Sequence, residues 1–103
     1  MGEIAAEMMS KLFKMQKDIK QTAEALEKEI ITTGAGRGAV KATMNGQFKL
    51  LNLEIDPALA PMNDVKQLSE MIKSVIAEAI EKTQVVSQNK MKSITDNLKI
   101  PGL

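Results

Sequence analysis

The sequence predicts an α+β fold in the order α-β-β-β-α, with a small antiparallel sheet and two long helices. Three observations predict it. Residues 3–29 contain no Gly or Pro and repeat apolar side chains at helical spacing. Residues 30–56 are rich in β-branched and alternating apolar positions, punctuated by a glycine run and by Asn45-Gly46. From Val65 onward the helical spacing returns and continues, less strictly, through Leu98, ahead of Pro101-Gly102. The 103 residues fit a single domain, 1–103, whose core is modest for its size.

In the first segment Met8, Leu12, Met15, Ile19, Thr22 and Leu26 follow one another at alternating spacings of four and three. Lys14, Lys17, Gln21, Glu24 and Lys28 fall on the opposite, solvated side. The pattern predicts an amphipathic helix packed on its own domain, with Met8 and Met15 in the core. The lysines stand early in this helix and Glu24, Glu27 and Glu29 late. The helix dipole prefers the reverse. The order hints that the basic stretch serves a partner, although a solvated charged face accounts for it equally well.

Three strands are expected next. Residues 30–33 begin with two isoleucines and two threonines, and Gly34-Ala35-Gly36-Arg37-Gly38 supplies positive-φ positions for a turn. Residues 39–44 alternate, with Val40, Ala42 and Met44 on one face and Lys41 and Thr43 on the other. Asn45-Gly46 predicts a two-residue type I′ hairpin turn. In residues 47–56 the apolar positions change phase, from Phe48 and Leu50 to Leu51, Leu53 and Ile55. Either both faces are partly covered or a bulge shifts the register. A small sheet burying both faces in so short a chain suggests a second subunit, and edge pairing with a copy would remove an aggregation hazard. Pro57 ends the strand. Asn63 or Asp64 is a suitable N-cap for the last helix, whose apolar row weakens at Ser87-Gln88-Asn89.

Composition narrows the function. There is no cysteine, which excludes a disulfide framework, Cys-based zinc and a thiol nucleophile. There is no histidine, tryptophan or tyrosine, and Phe13 and Phe48 are the only aromatics. The usual proton-transfer residue at neutral pH is therefore missing, as are stacking platforms for single strands. No enzyme activity, cofactor, metal or small-molecule substrate is expected. Lys11 and Lys14 interrupt the first apolar stretch, and nowhere do 18 apolar residues run together, so neither a secretory signal nor a membrane span is expected. The expected location is the cytoplasm.

The net charge is only +1, but its distribution is uneven: +1 over residues 1–20, −3 over 21–81 and +3 over 82–103. Positive charge gathers toward both ends, and a basic patch forms if those ends meet in space. Other candidate chemistry is weaker. The glycine run lies between strands and lacks the Lys-Ser or Lys-Thr of a phosphate loop, so it reads as a turn, with Arg37 exposed on it. Glu54 and Asp56 share a strand face, yet two carboxylates make a poor cation site, and Asp56 before Pro57 reads as a strand-to-turn residue.

The stretch Ile31-Thr32-Thr33-Gly34-Ala35-Gly36-Arg37-Gly38-Ala39-Val40-Lys41-Ala42-Thr43-Met44-Asn45-Gly46, continued by Leu53-Glu54-Ile55-Asp56-Pro57-Ala58-Leu59, resembles the centre of the YbaB/EbfC family of bacterial nucleoid-associated proteins. That family carries a glycine-rich turn, then G-x-V-K-V-T-x-N-G, then a strand ending V-x-I-D-P-x-L. Here Gly38 to Gly46 match with Ala42 in place of Val, and Ala35-Gly36-Arg37 is shorter than the family's usual glycine spacing. The two helices match in character, so the resemblance spans nearly the whole chain. It implies a homodimer built through the central strands, with the long helices projecting as arms. It also implies DNA binding through those arms, in nucleoid organisation or gene regulation. In that arrangement Lys11, Lys14, Lys17 and Lys20 come near Lys82, Lys90, Lys92 and Lys99, forming one basic surface for double-stranded DNA. These eight lysines are chosen from charge position, because the matching central motif is structural and carries no list of binding residues. The rival reading is a protein-interaction module whose helical arms clamp a protein.

Overall fold

The computed structural model describes residues 2–98. Helix α1 (Gly2–Lys28) leads into strands β1 (Ile30–Ala35), β2 (Val40–Asn45) and β3 (Leu50–Ile55), and α2 (Val65–Leu98) closes the order. The sheet is an antiparallel meander in the order β1-β2-β3. The element order is the expected one, and α2 is continuous through Ser87-Gln88-Asn89.

Helix α2 lies across β1 and β2 rather than β3. Val40 and Ala42 meet Val75 at the centre of the core, with Leu53, Ile55, Leu68, Met71, Ile72 and Ile76 packed around them. Cross-strand partners share a face, so Ala35, Val40 and Ile55, and likewise Thr33, Ala42 and Leu53, all point toward α2. The phase change in β3 is a bulge. Thr43 pairs with Asn52 but Met44 pairs with Leu50, and Leu51 is the extra residue. The bulge returns Leu50 to the same face as Leu53 and Ile55. Among the described residues no helix covers that face of β3 fully, and Leu50 remains 41% exposed.

The core is thin. Val40, Val75 and Thr83 are the largest side chains fully withdrawn from solvent. Two hydroxyls within it differ in fate. Thr33 Oγ1 donates to the Val75 carbonyl at 2.7 Å, tying β1 to α2. Among the described residues, Thr83 Oγ1 is buried with no hydrogen-bond partner. An unsatisfied buried hydroxyl costs about 1–3 kcal/mol, and replacing it with a methyl of the same shape removes that cost. Thr83→Val is therefore expected to raise the unfolding free energy by about 1 kcal/mol. Denaturant unfolding measures it, and a lower midpoint for the variant would show that the hydroxyl is satisfied.

The glycine run makes the positive-φ turn expected of it, whereas the Asn45-Gly46 turn departs from expectation. Positive φ at both central positions, as a type I′ turn requires, occurs at Arg37 (59°) and Gly38 (87°), closed by Ala39 N–H donating to Gly36 O at 3.2 Å. The predicted site, Asn45-Gly46, is not a type I′ turn. There Phe48 N–H donates to Asn45 O at 3.1 Å, Asn45 N–H donates to Lys49 O at 2.9 Å, and the positive φ (64°) falls on Phe48. This is a three-residue loop with a left-handed closing residue. Buried Asn45 stabilises it, its Oδ1 accepting from Gln47 N–H and Lys49 N–H at 2.9 and 3.0 Å.

Gly46 serves another purpose. Its N–H donates to Leu26 O at 2.7 Å and also approaches Glu29 O at 3.2 Å, while Gln47 Nε2 donates to Ala23 O at 2.8 Å. The last carbonyls of a helix have no partner within it. Here the β2–β3 loop caps α1 in place of a C-terminal glycine. At the other helix, Asp64 is the N-cap, its Oδ1 accepting from Gln67 N–H at 3.1 Å.

The molecule is elongated, 72 × 22 × 17 Å, with a radius of gyration of 20.2 Å. A compact chain of this length would have about 13 Å. The difference is the arm formed by α1 and the far half of α2. Along α1 the predicted apolar row is buried only at its end: Leu26 is buried, Met15 and Thr22 are half-buried, and Met8 and Leu12 are exposed. Met8 is thus not a core residue. The spacing correctly marks an apolar face, but the first turns of α1 have nothing packed on them among the described residues.

Candidate nucleic-acid interface

The two helices of the arm run antiparallel, because the sheet returns the chain beside the end of α1. Lys90 Nζ lies 3.6 Å from Glu29 Oε2, bracing α2 against the start of β1. Further out, Lys14, Asp18, Gln21, Thr22 and Ala25 of α1 face Lys90, Ser93 and Ile94 of α2 across an open groove of about 540 Å³. Residues 14, 18, 21 and 25 recur at helical spacing, so they form one face of α1.

Two of the eight predicted lysines, Lys14 and Lys90, line this groove. Lys11, Lys17, Lys20 and Lys92 lie on the same two helices outside its lining. Lys11, Lys14, Lys17 and Lys20 are all exposed, but spacing of three residues turns each by roughly 60° from the last. The four therefore sweep about half the circumference of α1 and do not share one face. Lys92 is exposed on α2. Lys82 lies two turns nearer the sheet and pairs with Glu78 of its own helix at 3.1 Å. Lys99 lies outside the described residues. No ion pair within the described residues engages Lys11, Lys14, Lys17, Lys20 or Lys92. Gln21, Thr22 and Ser93 add neutral donors that charge counting missed. The helical spacing of Lys14 and Gln21 was the signal that could have found the first of them.

The remaining candidates are structural. Asp56 Oδ1 accepts from Ala58 N–H at 2.9 Å, making it the strand-to-turn residue that its position before Pro57 suggested. Glu54 Oε1 accepts from Asn52 Nδ2 at 3.1 Å. Among the described residues, no group of three or more carboxylates is placed to hold a metal ion, and no helix is long and apolar enough to cross a membrane.

A surface of this kind attracts phosphate oxygens through point charges and amide and hydroxyl donors. It lacks the bidentate arginines and aromatic planes that read base edges or stack on bases. Comparison with known proteins points the same way. The sequence model of the YbaB/EbfC DNA-binding family matches residues 1–98. A nucleoid-associated protein of Pelotomaculum thermopropionicum is 38% identical over 103 residues, covering 100% of this chain and 98% of that one. A nucleoid-associated protein of Moorella thermoacetica is 35% identical over 95 residues, covering 92% of this chain and 91% of that one. The crystal structure of an uncharacterized protein from Helicobacter pylori shares the fold, with a TM-score of 0.80 at 22% identity over 87% of this chain and 95% of that one. The chain belongs to the YbaB/EbfC DNA-binding family.

Proposed function

We propose that this chain binds double-stranded DNA without catalysis, as a cytoplasmic, nucleoid-associated homodimer that organises the nucleoid and influences the expression of genes within it. The observation that supports this best is the projecting two-helix arm, with Lys14 and Lys90 in its groove and Lys11, Lys17, Lys20 and Lys92, in no ion pair within the described residues, on the same two helices. Lysines neutralise phosphates and release counterions, so binding depends steeply on salt and weakly on sequence. The dimer reading rests on the uncovered side of the sheet. Edge strand β3 presents Leu50, Leu53 and Ile55 beside the half-buried Ile72 and Ile76 of α2. A second copy seated there would cover the apolar row and double the number of arms.

The test is a mobility-shift titration on unrelated duplexes at several salt concentrations. The expected result is a straight line of log affinity against log salt, with similar slopes for all duplexes and about 0.9 in slope per phosphate neutralised. No shift at low salt would overturn the reading. It would favour the second one, a protein-clamping module, which the exposed Ile4, Met8, Leu12 and Phe13 support. Large exposed apolar patches mark interaction surfaces.

A further inference from the structure

We propose that the amino-terminal third of α1 is a self-association surface, distinct from the sheet edge, where two copies pair antiparallel through Ile4, Met8 and Leu12. These three side chains stand four residues apart on one face of α1 and are 67%, 60% and 52% exposed. Met9 and Phe13 widen the same apolar arc and are 53% and 63% exposed. Met9, Leu12, Phe13 and Gln16 border a shallow hollow of about 170 Å³. Further along the helix this face continues into Met15, Thr22 and Leu26, which are half-buried or buried. The face that is built to be covered therefore outruns its cover within the described chain.

The charges select the occupant and its direction. Glu7 and Lys11 lie together on one flank of the apolar row, one turn apart. In an antiparallel pair with Met8 on the two-fold axis, Ile4 of one copy meets Leu12 of the other and Met8 meets Met8. Equivalent flanks then face each other, and Glu7 stands within about 3 Å, along the axis, of the level of the other copy's Lys11. A parallel two-fold pair would set this charged flank against the opposite flank of the other copy, where uncharged Ala5 and Met9 stand, and would leave Glu7 and Lys11 without an opposite charge across the seam. An anionic lipid surface fits less well, because Glu7 sits among the basic residues and would face the headgroups. Pairing at the arm tips, added to pairing at β3, links dimers end to end and bridges separate DNA duplexes. The tip pairing itself does not depend on the DNA reading.

The chain has no cysteine, so single cysteines report the geometry directly. Met8→Cys in the full chain is expected to form a disulfide-linked pair on mild oxidation. Ile4→Cys and Leu12→Cys are each expected to stay unlinked alone but to cross-link when mixed, because disulfides require Cβ atoms within about 4.5 Å. The double variant Met8→Gln with Leu12→Gln keeps helix-favouring residues and lies outside the proposed lysine surface. Sedimentation velocity is expected to show loss of species larger than the dimer, with an unchanged helical circular dichroism spectrum and unchanged affinity for one short duplex. Several results would overturn the proposal: no cross-link at Met8, self-linking of Ile4→Cys and Leu12→Cys without the mixed product, or unchanged sedimentation of the glutamine variant. So would binding to anionic vesicles that the glutamine variant loses while its sedimentation stays the same. Failure of the parent chain to bind DNA would remove the bridging role and leave the pairing intact.

Discussion

Replacing Lys11, Lys14 and Lys17 together by Gln is expected to weaken duplex binding about 10- to 100-fold at moderate salt, on every sequence alike, and to flatten the salt dependence. Each phosphate contact contributes about 0.9 to the slope, so losing three lowers it by up to about 2.7. These lysines are the right targets because all three are exposed and none is held in an ion pair within the described residues. Lys82 and Lys90 already face Glu78 and Glu29, and a phosphate must compete with those carboxylates. The control is Lys66→Gln with Lys73→Gln at the opposite end of α2. Lys66 stands 24 residues from Lys90, or about 36 Å along the helix. That is several Debye lengths at physiological salt, so removing charge there should barely alter an interface on the arm. If the control weakens binding as much per charge as the triple variant, the DNA surface does not lie on the arm. If the triple variant binds like the parent at low salt, the lysine assignment fails.

Sequence patterning reports which face of an element is apolar, and it leaves open what covers that face. For β2 this is enough: Val40, Ala42 and Met44 alternate with Lys41 and Thr43, and the three apolar residues are buried. The irregular phase of β3 announces a bulge or a doubly covered strand, and the pairing of Met44 with Leu50 selects the bulge. The same signal fails along α1, where one row, apolar except at Thr22, includes buried Leu26 and exposed Met8. Periodicity is a local property of the helix, whereas cover depends on where α2 ends beside it. Turn chemistry shows the limit most clearly. Asn45-Gly46 is a strong type I′ signature because glycine adopts positive φ without strain. Yet Gly46 is not among the glycines with positive φ, and the left-handed residue is Phe48. The competing demand was close approach to α1, a contact between residues 20 positions apart that no local rule contains. The groove was similarly hidden. Charge counting found Lys14 and Lys90 at opposite ends of the sequence and helical spacing placed Gln21 beside Lys14, while Thr22 and Ser93 joined them only once the helices were side by side.

Of Gly34, Gly36, Gly38 and Gly46, Gly46 should be where a single added methyl, as in Gly46→Ala, does the most damage. A Cβ at Gly46 would stand 2.5 Å from Leu26 O, 2.9 Å from Leu26 Cδ2 and 3.0 Å from Leu26 Cα. Two of those atoms are backbone at the end of a helix, and they cannot swing aside as a side-chain tip can. The loop must therefore retreat, lengthening the 2.7 Å bond from Gly46 N–H to Leu26 O that caps α1. Overpacking costs about 1–3 kcal/mol, and a lost buried hydrogen bond adds about 1 kcal/mol more. A destabilisation of about 3 kcal/mol is expected, which lowers the melting temperature by roughly 12–24 °C in a domain this small. Gly34→Ala supplies the matched comparison. Its Cβ would meet Val40 O at 3.6 Å and Lys41 Cγ at 3.8 Å, ordinary contact distances. Gly34 is also absent from the positive-φ residues, so alanine there should change stability by less than about 1 kcal/mol and can raise it by restricting the unfolded chain. Thermal unfolding of both variants separates the effects. A large loss at Gly46 with little change at Gly34 means that the hairpin loop holds the arm on the sheet. Equal melting temperatures would mean that α1 is seated by other contacts and that Gly46 is not its anchor. Because α1 carries Lys11, Lys14 and Lys17, loosening its anchor should also reduce DNA affinity below the melting temperature, without any change in charge.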